Sequence, residues 1–139
     1  MRVIRDRPPL FDEIDARFNV RGKPILFAWG DRLYIPSGSL DVAPHLMAHE
    51  EVHGARQGTA EPGIILWWKS YLNDREFRLD EEILAHRAEY QSLISHSGGR
   101  QQRRRHLAIT AARLAAPLYG RMISVSEAKK VICECERDV

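Results

Sequence analysis

A short motif with two histidines four residues apart constrains this chain more than any other feature. The sequence HEEVH at residues 49–53 follows the pattern H-E-x-x-H. On an α-helix, residues four apart lie on one face, separated by a rise of about 6 Å. Two imidazoles placed in this way can bind one zinc ion at about 2.0–2.1 Å. The motif therefore predicts a metal site, provided that these residues are helical.

Local signals predict a helix from Val42 to Gln57 around the motif. Asp41 is suited to cap its N-terminus, Pro44 is tolerated in the first turn, and Gly58 is a residue at which helices commonly end. This context matters because the motif carries chemistry only on a helix. We interpret His45, one turn before the first motif histidine, as an ordinary first-turn residue, although a role beside the metal stays open.

The glutamate inside the motif predicts a hydrolytic reaction. Glu50 follows His49, so its carboxylate can approach a zinc-bound water without binding the zinc itself. Zinc lowers the pKa of such a water to about 7, and Glu50 can accept its proton during attack on a carbonyl and return it to the leaving amine. We therefore predict a zinc-dependent metallopeptidase that acts on a peptide or protein, with Glu50 catalytic and with His49 and His53 as zinc ligands.

A catalytic zinc site needs three protein ligands and one open position, so a third ligand is expected outside the motif. The arrangement resembles the gluzincins, metallopeptidases in which a second helix supplies a glutamate within the pattern E-x-x-A. The sequence EILA at residues 82–85 fits that pattern, and the resemblance implies Glu82 as the third ligand. Glu81 is the alternative, because the register of this helix is open by one residue. Acidic residues near a helix N-terminus also interact favourably with the helix dipole, and this interaction would explain both glutamates without a metal.

The resemblance also raises the question of which residues surround the metal. In many gluzincins an acid four residues after the glutamate ligand orients a zinc-bound histidine, but His86 stands at that position, and Glu89 or Asp80 could substitute. A donor that stabilises the transition state is expected near the zinc as well. The candidates for that role are His86, Arg87, Tyr90 and Tyr119.

The patterns around the motif predict an α+β fold. A β-hairpin is predicted between Gly22 and Gly38 with its turn at Gly30-Asp31, and the strand Arg32–Ile35 is a candidate edge for an extended substrate. Periodicity predicts further helices at residues 10–18, 64–72, 80–95 and 101–116, and a short one near the C-terminus. Trp67, Trp68 and Tyr71 are interpreted as core residues of the second of these.

The resemblance covers about residues 33–90, and the chain is similar to small zincin-like proteins often encoded by phages. We therefore expect one zincin-like domain over residues 1–139, with a small antiparallel sheet packed on the motif helix and a helical C-terminal half. The main alternative is a non-catalytic protein with a zincin fold that has a binding or structural role, such as a virion component. The presence of Glu50 favours the enzyme, because a purely structural zinc needs no base.

Composition limits the remaining partners. The 21 basic and 19 acidic residues give a net charge of +2, which indicates neither nucleic acid nor membrane as a general partner. The densest basic segment, Arg100–His106, favours a solvated helix face over contacts with nucleic acid. Because no long apolar segment is present, we expect a soluble cytoplasmic protein. Cys133 and Cys135 are expected to be reduced thiols.

Overall fold

The computed structural model describes residues 1–38, 41–96 and 98–137, with side chains as far as Glu134. Within these ranges the chain forms six α-helices, a 3-10 helix at Pro117–Tyr119 and one three-stranded sheet, which confirms the α+β class. The strands are β1 (Arg2–Ile4), β2 (Phe27–Trp29) and β3 (Arg32–Tyr34). The helices are α1 (Phe11–Phe18), α2 (Pro44–Gln57), α3 (Glu61–Asn73), α4 (Arg75–Ser95), α5 (Arg100–Leu114) and α6 (Val125–Arg137).

The sheet is mixed, with the strand order β1-β3-β2. The predicted hairpin is confirmed: β2 and β3 pair antiparallel around a turn in which Gly30 has a φ of 63°. The expectation of a purely antiparallel sheet is wrong, because β1, which no sequence pattern predicted, pairs parallel with β3 and makes β3 the central strand. The expectation that Arg32–Ile35 forms an edge is therefore wrong. The edge that faces the helices is β2, which contacts α2.

The two helices that carry the motifs begin at different residues from those predicted. Helix α2 begins at Pro44, and its cap residue Ala43 makes no side-chain hydrogen bond, so Asp41 is not the cap. Helix α4 begins five residues before the predicted start, because Asp74 caps it by accepting a 3.1 Å hydrogen bond from the Phe77 N–H. Glu82 therefore lies beyond the first turn of α4, where a favourable interaction with the helix dipole no longer accounts for it.

Helix α2 lies between the sheet and α4, which it contacts extensively. A glycine allows its close approach to the sheet, because a Cβ atom on Gly54 would overlap the carbonyl oxygen of Gly30. One apolar cluster is built from α1, β2 and α3, and another from α4, α5 and α6. Helix α4 contributes to both, with Phe77 in the first and Tyr90 in the second.

The C-terminal helices carry the remaining predicted features. In α5, Arg100 and Arg103–Arg105 are exposed, as expected for a solvated face. Ser124 caps α6 by accepting a hydrogen bond from the Glu127 N–H. Cys133 lies on α6, whereas the side chain of Cys135 lies outside the described residues. In the described part of the chain, no helix is both long and apolar enough to cross a membrane.

Candidate metal centre

The three predicted ligands meet between α2 and α4. Nε2 of His53 lies 3.1 Å from Oε1 of Glu82, and Nε2 of His49 lies 3.4 Å from Oε2 of the same carboxylate. All three side chains are buried, and each offers a ligand atom within 4.8 Å of the other two. Neighbouring ligands of a tetrahedral zinc at about 2.0–2.1 Å are separated by about 3.3 Å. The spacing of this group therefore fits a single ion.

The adjacent glutamate points elsewhere. Glu81 is buried, but its carboxylate pairs with the guanidinium of Arg56 on α2, outside the histidine pair. Consecutive residues of a helix point about 100° apart, so only one of the two acids can face the histidines. The structure brings Glu82, not Glu81, to His49 and His53.

Two successive hydrogen-bonded contacts hold the side of the His49 ring that points away from Glu82. Its Nδ1 lies 3.1 Å from Oε1 of Glu89, which is 1% exposed. Glu89 in turn accepts from Arg113, at 3.0 Å from Nε to Oε2 and at 3.2 Å from Nη2 to Oε1. Glu89 therefore takes the place expected for an orienting acid, whereas Asp80 is exposed. The contribution of Arg113 was missed, since nothing in the sequence links α5 to the motif.

Glu82 has a support of its own. The Tyr71 hydroxyl donates a 2.7 Å hydrogen bond to its Oε1. Burial and the charge of Glu82 raise the pKa of Tyr71 well above its ordinary value, so this hydroxyl stays a donor. Burial opposes ionisation of Glu82, but the charge of His53 and hydrogen bonds from both imidazoles hold its pKa well below the usual range. The interpretation of Tyr71 as a core residue is correct for its ring but overlooked its hydroxyl.

His86 does not take the role of the orienting acid that was expected four residues after Glu82. Its side chain is fully buried, and its Nδ1 lies 2.7 Å from the backbone carbonyl oxygen of Glu82, to which it can donate. Burial, followed by the charge of His49, lowers the pKa of His86 to about 4, so the ring is neutral near pH 7. His49, His86 and Glu89 also lie close enough to hold an ion. That second group is the weaker candidate, because the positive charge of Arg113 on Glu89 disfavours a cation there.

The predicted base, Glu50, lies beside the group formed by His49, His53 and Glu82. Glu50 is 9% exposed and lines the same cavity as His49, His53 and Glu82, but it is not one of the grouped ligands. Burial raises the pKa of Glu50, while the charges of the two histidines act in the opposite direction. A carboxylate whose pKa is raised is a better proton acceptor, which suits a general base.

The cavity has a volume of about 220 Å³, and His49, Glu50, His53 and Glu82 are among the residues that line it. Most of the other lining residues are apolar and include Ile14, Phe18, Val20, Phe27, Trp68 and Leu118. Among the four candidate donors, Tyr119 alone lines it. Arg87 instead donates to the Val131 carbonyl oxygen, and Tyr90 is buried in the C-terminal apolar cluster.

Comparison with known proteins assigns the chain to no family. No protein-family model, curated protein or solved structure matches it. The function is therefore inferred from the geometry of the site and from the sequence motifs.

Proposed function

We propose that this chain is a zinc-dependent metallopeptidase with a zincin-like fold. In this proposal His49, His53 and Glu82 bind the zinc ion, and Glu50 is the general base. The observation that carries it is that two helices bring three buried ligand atoms together at the spacing of zinc ligands. The carboxylate of Glu50 lies beside these three side chains but is not part of the group.

An unused ligand atom favours a metal over a set of buried ion pairs. Oε2 of Glu82 is buried, and the imidazole nitrogens that approach it, Nε2 of His49 and Nδ1 of His86, are each 3.4 Å away and do not have normal hydrogen-bond geometry. A buried polar atom without a partner is destabilising, and a buried carboxylate is normally paired or bound to a metal. A cation among the three side chains would coordinate Oε2 and compensate the charge of Glu82. Two imidazoles and one carboxylate form a ligand set known from catalytic zinc sites.

The chemistry follows from the position of Glu50. A divalent ion at this site supplies a Lewis acid that lowers the pKa of a bound water and polarises a carbonyl. Glu50 accepts the proton of the attacking water and delivers it to the amine that leaves. The Tyr119 hydroxyl, whose pKa is raised by burial and by the charge of Glu82, stays protonated and can donate to the developing oxyanion.

The segment just before β2 is the surface on which an extended peptide would pair, because all three residues of β2 are buried. The Ala28 carbonyl oxygen is already bonded to Nε2 of Gln57 and Nε1 of Trp68, at 3.1 Å each. Pairing is thus restricted to the residues before Ala28, and Leu26 lines the cavity there. This placement brings a substrate backbone to the acids by strand addition, while the apolar walls receive a nonpolar side chain.

Two neighbouring glutamates provide the test. Glu50→Gln removes the proposed base, whereas Glu51→Gln changes the exposed neighbour that precedes Val52. With a library of fluorogenic peptides, we expect Glu50→Gln to abolish hydrolysis at full zinc occupancy and Glu51→Gln to retain it. An unchanged rate in Glu50→Gln excludes the proposed role. A zinc-loaded wild type that cleaves no peptide favours a non-catalytic zincin-fold protein instead.

A further inference from the structure

Arg113 connects the C-terminal helices to the candidate metal centre. We propose that Arg113 is a positioning residue of this centre, which fixes Glu89 so that Glu89 orients His49 toward the zinc. Helix α5 then belongs to the centre instead of only covering it. This inference rests on the zinc binding proposed above, but it does not require peptidase activity.

The contact is made at both oxygens of one carboxylate. Nε of Arg113 lies 3.0 Å from Oε2 of Glu89, and Nη2 lies 3.2 Å from Oε1. The same Oε1 lies 3.1 Å from Nδ1 of His49. A carboxylate held at both oxygens cannot rotate without breaking one of these bonds, and paired contacts of this kind add directional specificity. The plane of Glu89, and with it the direction of its bond to His49, is set by Arg113.

The orientation of His49 follows from that bond. Donation from Nδ1 to Glu89 turns Nε2 toward Glu82, where it lies 3.4 Å from Oε2. A histidine that ligates zinc through one nitrogen commonly has its other nitrogen fixed by such a partner. The support differs between the two histidines, since Nδ1 of His53 is buried without a hydrogen-bond partner in the described ranges. His49 is therefore the ligand whose position depends on an outer contact.

Arg113 is needed because Glu89 is buried. Glu89 is 1% exposed, and among the described residues Arg113 is the basic side chain that forms an ion pair with it, apart from the imidazole of His49. Removal of one partner leaves a buried charge uncompensated, which is strongly destabilising. Without Arg113, Glu89 would have to rotate toward solvent or accept a different partner, and either change releases His49.

The chain contains a matched control pair. Arg56 and Glu81 also join a half-exposed arginine to a buried glutamate: the exposed fractions are 48% and 3%, against 44% and 1% for Arg113 and Glu89. Both glutamates lie on α4, but Glu81 is not part of the group that could hold a metal. Loss of the Arg56 pair therefore reproduces the loss of a buried ion pair without disturbing His49.

The experiment measures zinc affinity by competition with a chromophoric chelator in wild type, Arg113→Met, Arg113→Lys and Arg56→Met. We expect Arg113→Met to weaken binding by about 10- to 100-fold, Arg113→Lys to recover part of this loss, and Arg56→Met to bind as wild type. The absorption spectrum of the cobalt-substituted protein should change in Arg113→Met and stay unchanged in Arg56→Met, because it reports the ligand geometry.

Wild-type affinity in Arg113→Met, or an equal loss in Arg56→Met, would overturn the proposal. If Arg113→Met does not fold, Arg113→Lys decides, since unchanged affinity and an unchanged cobalt spectrum in that variant contradict a directional role. A wild type that binds no zinc would remove both this inference and the proposed function. A wild type that binds zinc but hydrolyses no peptide would remove only the peptidase.

Discussion

The Tyr71 hydroxyl donates a 2.7 Å hydrogen bond to Oε1 of Glu82. The tyrosine stands on α3 and the glutamate on α4, and the Tyr71 ring stacks on Trp67 with centroids 5.0 Å apart. One residue thus joins the apolar core to the candidate third ligand. The orientation of Glu82 depends on the packing of α3 as well as on its own helix.

Tyr71→Phe tests this connection, because it removes the hydroxyl and keeps the ring. We expect zinc affinity to fall by about tenfold, since residues that orient a ligand commonly contribute that much. The measurement is competition with a chelator of known affinity. An affinity equal to that of wild type would show that Glu82 needs no support from Tyr71.

Adjacent acids on α4 separate the candidate third ligands. Glu82→Gln should reduce zinc occupancy strongly, because it removes the anionic ligand that faces His49 and His53. Glu81→Gln should keep its zinc and lose stability instead, because it breaks a pair between Arg56 and a buried carboxylate. Metal analysis and thermal unfolding of both variants check these expectations. The reverse pattern would make Glu81 the ligand.

Zinc binding should release a proton near neutral pH. In the metal-free protein burial lowers the pKa of His49, but hydrogen bonds with Glu82 and Glu89 outweigh it and raise the pKa to about 10. Because zinc needs an unprotonated nitrogen, it must displace this proton. Affinity should rise between pH 7 and pH 9, by up to about tenfold per unit for one proton. Calorimetric titration in buffers of different ionisation enthalpy counts the protons, and a count of zero would contradict the prediction.

The protonation of His49 also predicts that the stability of the metal-free protein falls as the pH rises, whereas the zinc affinity increases. The folded pKa of His49 lies above its unfolded value of 6.5, so its stabilising contribution is complete below about pH 6.5 and is lost as pH rises toward 10. In a chelator, the melting temperature should therefore decrease from pH 7 to pH 9. A constant or rising melting temperature would show that His49 is not protonated in the folded protein.

The close approach of α2 to the sheet predicts opposite effects for two glycine substitutions. Gly54→Ala should destabilise the protein by about 1–3 kcal/mol, because the new methyl group would overlap the Gly30 carbonyl oxygen. Gly63→Ala should stabilise it by up to about 1 kcal/mol, since Gly63 lies in α3 and its Cβ would make an ordinary 3.5 Å contact with the backbone carbonyl oxygen of Gln57. Chemical denaturation measures both, and equal effects would contradict the packing described for α2.

The sequence predicts the parts of the site that depend on local spacing. His49, Glu50 and His53 lie on one helix, so their arrangement follows from helical periodicity alone. The choice between Glu81 and Glu82 could not be made in this way, because it depends on the rotation of α4 against α2. That rotation is set by packing between helices, which no local pattern contains.

Long-range partners were outside the reach of the sequence for the same reason. Arg113 approaches Glu89 only because α5 folds back on α4, and an arginine in a basic helix is otherwise an ordinary surface residue. The helix over residues 80–95 was predicted to begin five residues too late, because α4 begins at Arg75 after its cap residue Asp74. Strand β1 has three residues, too few for an alternating pattern to be recognised.

Elemental analysis of the purified protein, prepared without chelator, tests the metal centre most directly. We expect about one zinc per chain in wild type and in Glu50→Gln, and a large loss of zinc in His53→Ala and Glu82→Ala. This pattern would establish the ligands and separate them from the base. A wild type that stays free of metal after zinc is offered would contradict the account, and the buried histidines and glutamates would then be an ion-pair network without a metal.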